Sequence, residues 1–437
     1  MAVADKDPIE KLQKRGEDLQ KCLPFASRAF VIEFAGTPKS GKSTSVEAIR
    51  HFFSRSGFRV HVLTERAALC PIPMKGHLFF NTWCATSMLA ELLANVETET
   101  DIIIVDRGIL DALVWLGLQI KRGELTEEEA RTFKDFMLLE RWRSLIDFAA
   151  VMTVSAECAL VRETGDRLSR KPGSIMNPSV LQSIRDSVDE VVRENEKRFG
   201  RVVKLDTTGK KFKESGVELA NSVLDALEEF LNPEILVVPR GRIEELVRAG
   251  VCQLGPKAVE SALSCISQHA KFMRRADAEV NDEYVQIIPF GLITYEADVF
   301  LFRRKDKDPK SRLFGSNTLW QGCHTTKKDR VEIAQLMQDA LMDRIARSLF
   351  LSRKFSAQPL GFCWDQSSVD SSRHFGFAYK MNIDSEVAAN DLRKKEFRKQ
   401  RGYGLSGQFH PWNSLREARD LGLEPWSKAI VDSGLPE

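Results

Sequence analysis

AFVIEFAG at residues 29–36 runs straight into GTPKSGKST at residues 36–44. A near-continuous apolar run that ends in glycine is the pattern of a strand buried on both faces and entering a tight turn. The stretch after it satisfies G-x-x-x-x-G-K-[ST] between a strand and a helix that starts near Lys42, the context this phosphate-binding loop requires. Gly36, Thr37, Pro38, Lys39, Ser40, Gly41, Lys42, Ser43 and Thr44 are therefore expected to hold the phosphates of a nucleoside triphosphate. The glycines let backbone N–H groups turn inward and the helix N-terminus adds a favourable field. Lys42 reaches the terminal phosphates, and Ser43 can ligate Mg2+.

Working outward, FRVHVL (58–63), IIIVD (102–106), AAVMTV (149–154) and RVVKLD (201–206) read as further strands separated by helical stretches. This alternation predicts an α/β domain, a parallel sheet covered by helices on both faces, with ligands at the carboxyl ends of the strands. Asp106 arrives at such an end, where it could hold Mg2+ through water, and Arg107 follows it. Glu65 ends the second strand and is followed by Arg66, so two acid–base pairs are expected in one crevice. Phosphoryl transfer needs positive groups on the moving phosphate and a carboxylate to orient the acceptor oxygen. Lys42, Glu65, Asp106 and Arg107 are the candidate catalytic residues, with Arg66 at the acceptor. Arg162, Arg167, Arg170 and Lys171 cluster in LVRETGDRLSRKPG, either a lid that clamps donor phosphates or an ordinary charged helix. Phe79, Phe80 and Trp83 have helical spacing; an acceptor base could stack there, with core packing expected for two of the three.

After Asn232-Pro233 the pattern changes. EILVVPRGRIEELVRAG, YVQIIPFGLITY, ADVFLFRR and HFGFAYKMNI alternate more and carry more aromatics, as in a mixed α+β domain, with RRKDKDPKSRLFGSN an exposed loop between two strands. The expected organisation is a helical extension over 1–28, a P-loop domain over 29–231, a second domain over 234–390 and a helical tail over 391–437 packed on it. The helix of about 8–22 either caps the first domain or supports a homodimer contact.

Composition removes several classes. Lys plus Arg (64) balances Asp plus Glu (62) to a net +2, so any attraction for nucleic acid must be local. The 8 cysteines lie far apart without metal-type spacing and read as free, mostly buried thiols. The start lacks a signal-type apolar core and no stretch reaches the length of a membrane span, so a cytoplasmic location and no membrane partner are expected.

GTPKSGKST, TER and DRG, in this order and spacing, make residues 29–230 resemble the thymidylate kinase and deoxynucleoside kinase superfamily. The resemblance implies that Glu65 and the Asp106-Arg107 pair handle the acceptor while the Arg162 to Lys171 segment closes over ATP. Gly108 stands where those enzymes often carry an aromatic residue. EILVVPRGRIEEL, FMRRADAEVNDEYVQIIPF, LWQGCHTTKKD and RHFGFAYKMNI make residues 234–390 resemble the Nudix, or MutT-type, phosphoesterases. That family needs R-E-x-x-E-E glutamates to bind magnesium. Here the helix reads Asp343-Arg344-Ile345-Ala346-Arg347-Ser348, with Arg347 and Ser348 at the glutamate positions, so no Nudix hydrolysis is expected. Glu332, Asp339 and Asp343 share a helical face, a solvated one more readily than a substitute metal site. Arg344, Arg347 and Lys327 or Lys328 could meet the phosphate of a nucleotide effector, or the domain could be a scaffold. No histidine is assigned a catalytic role.

The expected activity is ATP- and Mg2+-dependent phosphoryl transfer to a nucleoside or nucleoside monophosphate, with the second domain as nucleotide sensor. The alternatives are a nucleotide-controlled switch that engages a protein or effector, and a polynucleotide 5′-hydroxyl kinase. The latter lacks an evident basic, aromatic-lined strand-binding face.

Overall fold

The computed structural model describes residues 7–23, 26, 28–74, 77–96, 98–166, 175–247, 251–306, 315–327, 331–349, 355–383, 386, 389, 392, 403–417 and 421–434. They fall into two compact units, Met1–Leu231 and Asn232–Glu437.

The first unit runs α1 (Pro8–Gln20), β1 (Phe30–Gly36), α2 (Lys42–Arg55), β2 (Val60–Leu63), α3 (Leu78–Asn95), β3 (Ile102–Asp106), α4 (Ile109–Lys121), α5 (Glu127–Met137), α6 (Glu140–Arg143), β4 (Phe148–Thr153), α7 (Ala156–Asp166), α8 (Pro178–Asn195), β5 (Arg201–Asp206) and α9 (Phe212–Leu231). The five strands form a parallel sheet in the order β2-β3-β1-β4-β5. Every residue of β1 is buried, because helices cover both faces. Phe30, Ile32 and Phe34 pack with Val46, Ile49 and Phe53 of α2 and with α9, while Val31 and Ala35 join Ile109 and Leu113 of α4 in the opposite core. Period-2 alternation thus assigns Glu33 to the α4 side, between Val31 and Ala35. α1 lies on α9 in this unit, burying Leu12 and Leu19 and pairing Arg15 with Asp225 and Glu228 at 2.7 Å.

The second unit contains β6 (Glu234–Pro239), α10 (Arg240–Leu246), β7 (Cys252–Leu254), α11 (Pro256–His269), β8 (Lys271–Arg274), α12 (Arg275–Ala278), β9 (Tyr284–Tyr295), β10 (Asp298–Asp306), β11 (Asn317–Thr318), β12 (Trp320–Gly322), α13 (Ile333–Ser348), β13 (Phe355–Trp364), α14 (Val369–Ser372), β14 (His374–Ile383), β15 (Tyr403–Pro411), α15 (Trp412–Glu417) and α16 (Pro425–Ser433). Its sheet is mixed: β9 pairs parallel with β14 and antiparallel with β6, β10 and β12. The architecture is therefore α/β followed by a mixed α+β unit. In place of an all-helical tail, Tyr403–Pro411 adds a strand along β10. α16 then buries Trp426 against Phe290 and Trp320, with ring centroids 5.2 and 5.1 Å apart. The strand β10 also extends to Asp306, into the stretch read as loop; residues 307–314 lie outside the described set. The cysteines are free, but only Cys363 is buried; the other seven are half-buried.

Candidate functional site

The phosphate loop connects β1 to α2. Gly36 (φ 127°), Lys39 (φ 58°) and Gly41 (φ 91°) take positive φ, and a Cβ on Gly36 would lie 1.9 Å from the Met152 carbonyl oxygen of β4. Only glycine fits that close approach. The Thr37 N–H donates to the same carbonyl at 3.0 Å, and the Val154 N–H donates to Thr37 Oγ1 at 3.1 Å, so the loop is tied to the end of β4. Arg162 donates to the Lys39 carbonyl at 2.9 Å and to Thr207 Oγ1 and O at 3.0 and 2.8 Å. From α7, Arg162 thereby ties the Lys39 turn of the loop to Thr207, just past β5. Arg167, Arg170 and Lys171 lie outside the described residues.

Lys42 is buried, and its Nζ donates to the carbonyls of Gly36 at 3.0 Å and Thr37 at 2.6 Å. Burial, with Arg107 adding, pushes its ammonium down to about 7. Triphosphate oxygens would reverse that shift. Nucleotide binding at a pH about one unit above that value is therefore expected to take up close to one proton. Calorimetry in buffers of different ionisation enthalpy reads this directly, and a buffer-independent heat would count against it.

The acid–base pairs do not form between sequence neighbours. Arg107 (φ 66°) directs Nε to Glu65 Oε1 at 2.7 Å and Nη1 to Asp111 Oδ2 at 3.1 Å, while Arg66 pairs with Glu91 of α3. The sheet order sets β2 beside β3, so Glu65 meets the arginine of the next strand end. Asp111, buried in the first turn of α4, also accepts from the Gly36 N–H at 3.2 Å and from Trp115 Nε1 at 3.1 Å. A chain of charge thus runs from Glu65 through Arg107 and Asp111 to the first residue of the phosphate loop.

Asp106 stands in register with Phe34 of β1. Burial, then the Glu65 carboxylate, raises its carboxyl above the ordinary range. Such a group favours a cation nearby, and with the exposed Ser43 at the start of α2 it supplies the oxygen donors that Mg2+ prefers. The donor set fits the metal.

Sequence reasoning missed Glu33 and Asp111. Glu33 is fully buried and accepts the N–H groups of Ile109 at 3.1 Å, Leu110 at 2.7 Å and Asp111 at 3.1 Å, capping α4 from inside the sheet. A Cβ at Gly108 would lie 2.7 Å from Glu33 Cδ, which accounts for glycine there. A lone glutamate in an otherwise apolar strand was the available signal. The aromatic expectation is also corrected: Phe79 is 64% exposed, and Phe80 and Trp83 are half-buried, so none of the three is core.

In the second unit Ser348 is buried, donating to Gln321 Oε1 at 2.6 Å, while Arg347 is exposed. Asp339 accepts from Gln335 at 2.9 Å and Lys327 pairs with Glu234 at 3.2 Å; Lys328 lies outside the described residues. Among the described residues, Glu332, Asp339 and Asp343 form no metal-type cluster. No described helix is long and apolar enough to cross a membrane.

The profile of the methylmalonyl Co-A mutase-associated GTPase MeaB family matches residues 3–67. The matched family is one of GTPases, not of thymidylate kinases. Protein YmaB of Bacillus subtilis (strain 168) is 25% identical over 205 residues, spanning 45% of this chain and 95% of that protein. Among solved structures, deoxyadenosine kinase from M. mycoides with bound dCTP aligns over 45% of this chain and 100% of its own, at 16% identity and TM-score 0.35. Tm1382, a Nudix-hydrolase-like protein, aligns over 46% of this chain and 96% of its own, at 16% identity and TM-score 0.34. With its loop, strand order and family match taken together, the first unit is a P-loop nucleotide-binding domain.

Proposed function

We propose that the first unit transfers the γ-phosphate of ATP, with Mg2+, to a nucleoside or nucleoside monophosphate. The observation that carries this is the Glu65–Arg107–Asp111 chain, which couples a carboxylate at the end of β2 to the N–H of Gly36. Beyond holding Arg107, Glu65 supplies a second strand-end carboxylate, the group that orients an acceptor hydroxyl in phosphoryl transfer. Glu65 suits the acceptor oxygen, Arg107 the transferring phosphoryl group, and Lys42 the donor phosphates. Ser43 and Asp106 would hold the metal, whose contribution is charge neutralisation between donor phosphates.

The exposed Leu69, Met74 and Phe79 and the half-buried Phe80 and Trp83 follow Glu65 in sequence and suit a flat base. Trp83→Ala is expected to raise acceptor KM by about tenfold, the scale of one lost stacking contact, while donor KM stays within about twofold. Equal changes in both constants would place Trp83 in structural support.

The deciding experiment offers ATP or GTP with Mg2+ and a panel of nucleosides, nucleoside monophosphates and 5′-hydroxyl oligonucleotides. One phosphorylated acceptor is expected. The match of residues 3–67 to a GTPase family favours a second reading, a nucleotide-controlled switch. Triphosphate loss without any phosphorylated acceptor would select it. On either reading the second unit, with Arg347 and Ser348 in place of glutamates, does not hydrolyse diphosphates and is available as an effector domain.

A further inference from the structure

In the second unit, one ligand atom from each of Glu279, His324 and His374 lies within 4.8 Å of the others, all three side chains being half-buried. They come from separate elements. Glu279 follows α12, His324 follows β12, and His374 opens β14. The shared neighbour is Gln286 of β9, which is fully buried and directly in register with His374 across the parallel β9–β14 pair.

The hydrogen bonds around the group fix its chemistry. Gln286 Nε2 faces the Ala278 carbonyl and Glu279 Oε2, each at 3.3 Å. Both accept only, so the amide orientation is determined and Oε1 is the atom 2.8 Å from His324 Nε2. That nitrogen therefore carries the proton of a neutral His324. His374 Nδ1 lies 2.7 Å from the Asp370 carbonyl, which likewise assigns its proton and leaves the lone pair on Nε2, 4.0 Å from Glu279 Oε2. Arg275 Nε stands 3.3 Å from Glu279 Oε1, the oxygen other than the one Gln286 faces. Backbone carbonyls and amides that steer imidazoles, and a buried amide that steers one imidazole and one carboxylate together, are the outer-shell pattern of metal sites.

From this geometry we infer that Glu279, His324 and His374 form a binding site for a divalent transition-metal cation of the zinc type. Two imidazoles and one carboxylate are the borderline donor set such ions prefer over magnesium. Three protein ligands leave a fourth position for water or an anionic ligand. None of the three residues belongs to the Asp343–Ser348 segment or to the phosphate loop.

The test uses the full chain, stripped by chelator and titrated with Zn2+ or Co2+ in excess Mg2+ and reductant, followed by metal content after dialysis and by the Co2+ visible spectrum. About one retained equivalent with nitrogen–oxygen rather than thiolate absorption is expected. Glu279→Gln and His374→Gln should each weaken binding by at least about tenfold, the smallest loss seen even for outer-shell partners. Their melting temperatures should match that of the metal-free wild type while losing its metal-dependent rise, which separates lost ligation from lost fold. His374 and Glu279 are both half-buried and lie on elements other than that of His324, so their variants test the site even where changes at His324 disturb folding. No retained metal, a thiolate spectrum, or unchanged affinity in both variants would overturn the assignment.

Discussion

Lys42→Ala is expected to lower phosphoryl transfer by about a hundred- to a thousandfold, the scale of removing one preorganised charge from a developing transition state. The fold should survive. In the nucleotide-free protein Lys42 contributes two bonds to loop carbonyls, at 3.0 and 2.6 Å, but its ammonium is held in a desolvated position beside Arg107. Removing a charge that burial disfavours should leave the melting temperature unchanged or raise it slightly. What should disappear is the rise in melting temperature on adding nucleotide, since that rise measures binding to the native state alone. Activity and nucleotide stabilisation must be measured on the same preparation. Undiminished transfer would remove the proposed chemistry, whereas a large drop in the nucleotide-free melting temperature would make Lys42 a structural residue first.

The phosphate loop was legible because its information is local: strand, glycine turn and helix start lie within one continuous stretch, and each glycine answers to a nearby backbone constraint. Partner choice among the charged residues was not. Glu65 and Arg66 are consecutive, yet one faces Arg107 and the other Glu91, because pairing depends on which strand ends the sheet order brings together. Arg162 read as a lid residue from its basic surroundings, but its partners are carbonyls of the Lys39 turn and the β5 end, which charge patterning does not register. In the tail, YGLSGQFHP over Tyr403–Pro411 carries two glycines and a weak strand signal, and it forms a strand by pairing along the whole length of β10. Glu279, His324 and His374 illustrate the same limit, since no spacing rule links residues that meet only through β9 and β14.

Glu33 gives the largest expected effect on stability. Glu33→Ala would leave the N–H groups of Ile109, Leu110 and Asp111 without their buried acceptor and open a cavity beneath Gly108, for an expected loss of about 3–5 kcal/mol. Glu33→Gln preserves the volume but turns an amide NH2 toward at least one N–H donor, for about 1–3 kcal/mol. The two variants also differ from the wild type in pH dependence. Burial, opposed by the three N–H bonds, pushes the Glu33 carboxyl up from 4.5 to about 7. Between those values the folded chain keeps a proton that the unfolded chain releases. The contribution of Glu33 is therefore fully present below about 4.5 and is lost as the pH rises through about 7. In Glu33→Gln that part of the slope should vanish, so denaturant midpoints of the two proteins should approach one another as pH rises across this window. An unchanged slope would mean that the three N–H bonds outweigh desolvation and hold Glu33 ionised throughout. Because α4 also presents Asp111 to the Gly36 N–H and to Arg107, loosening its first turn should raise donor KM in both variants, tying the buried carboxylate of β1 to the loop it precedes.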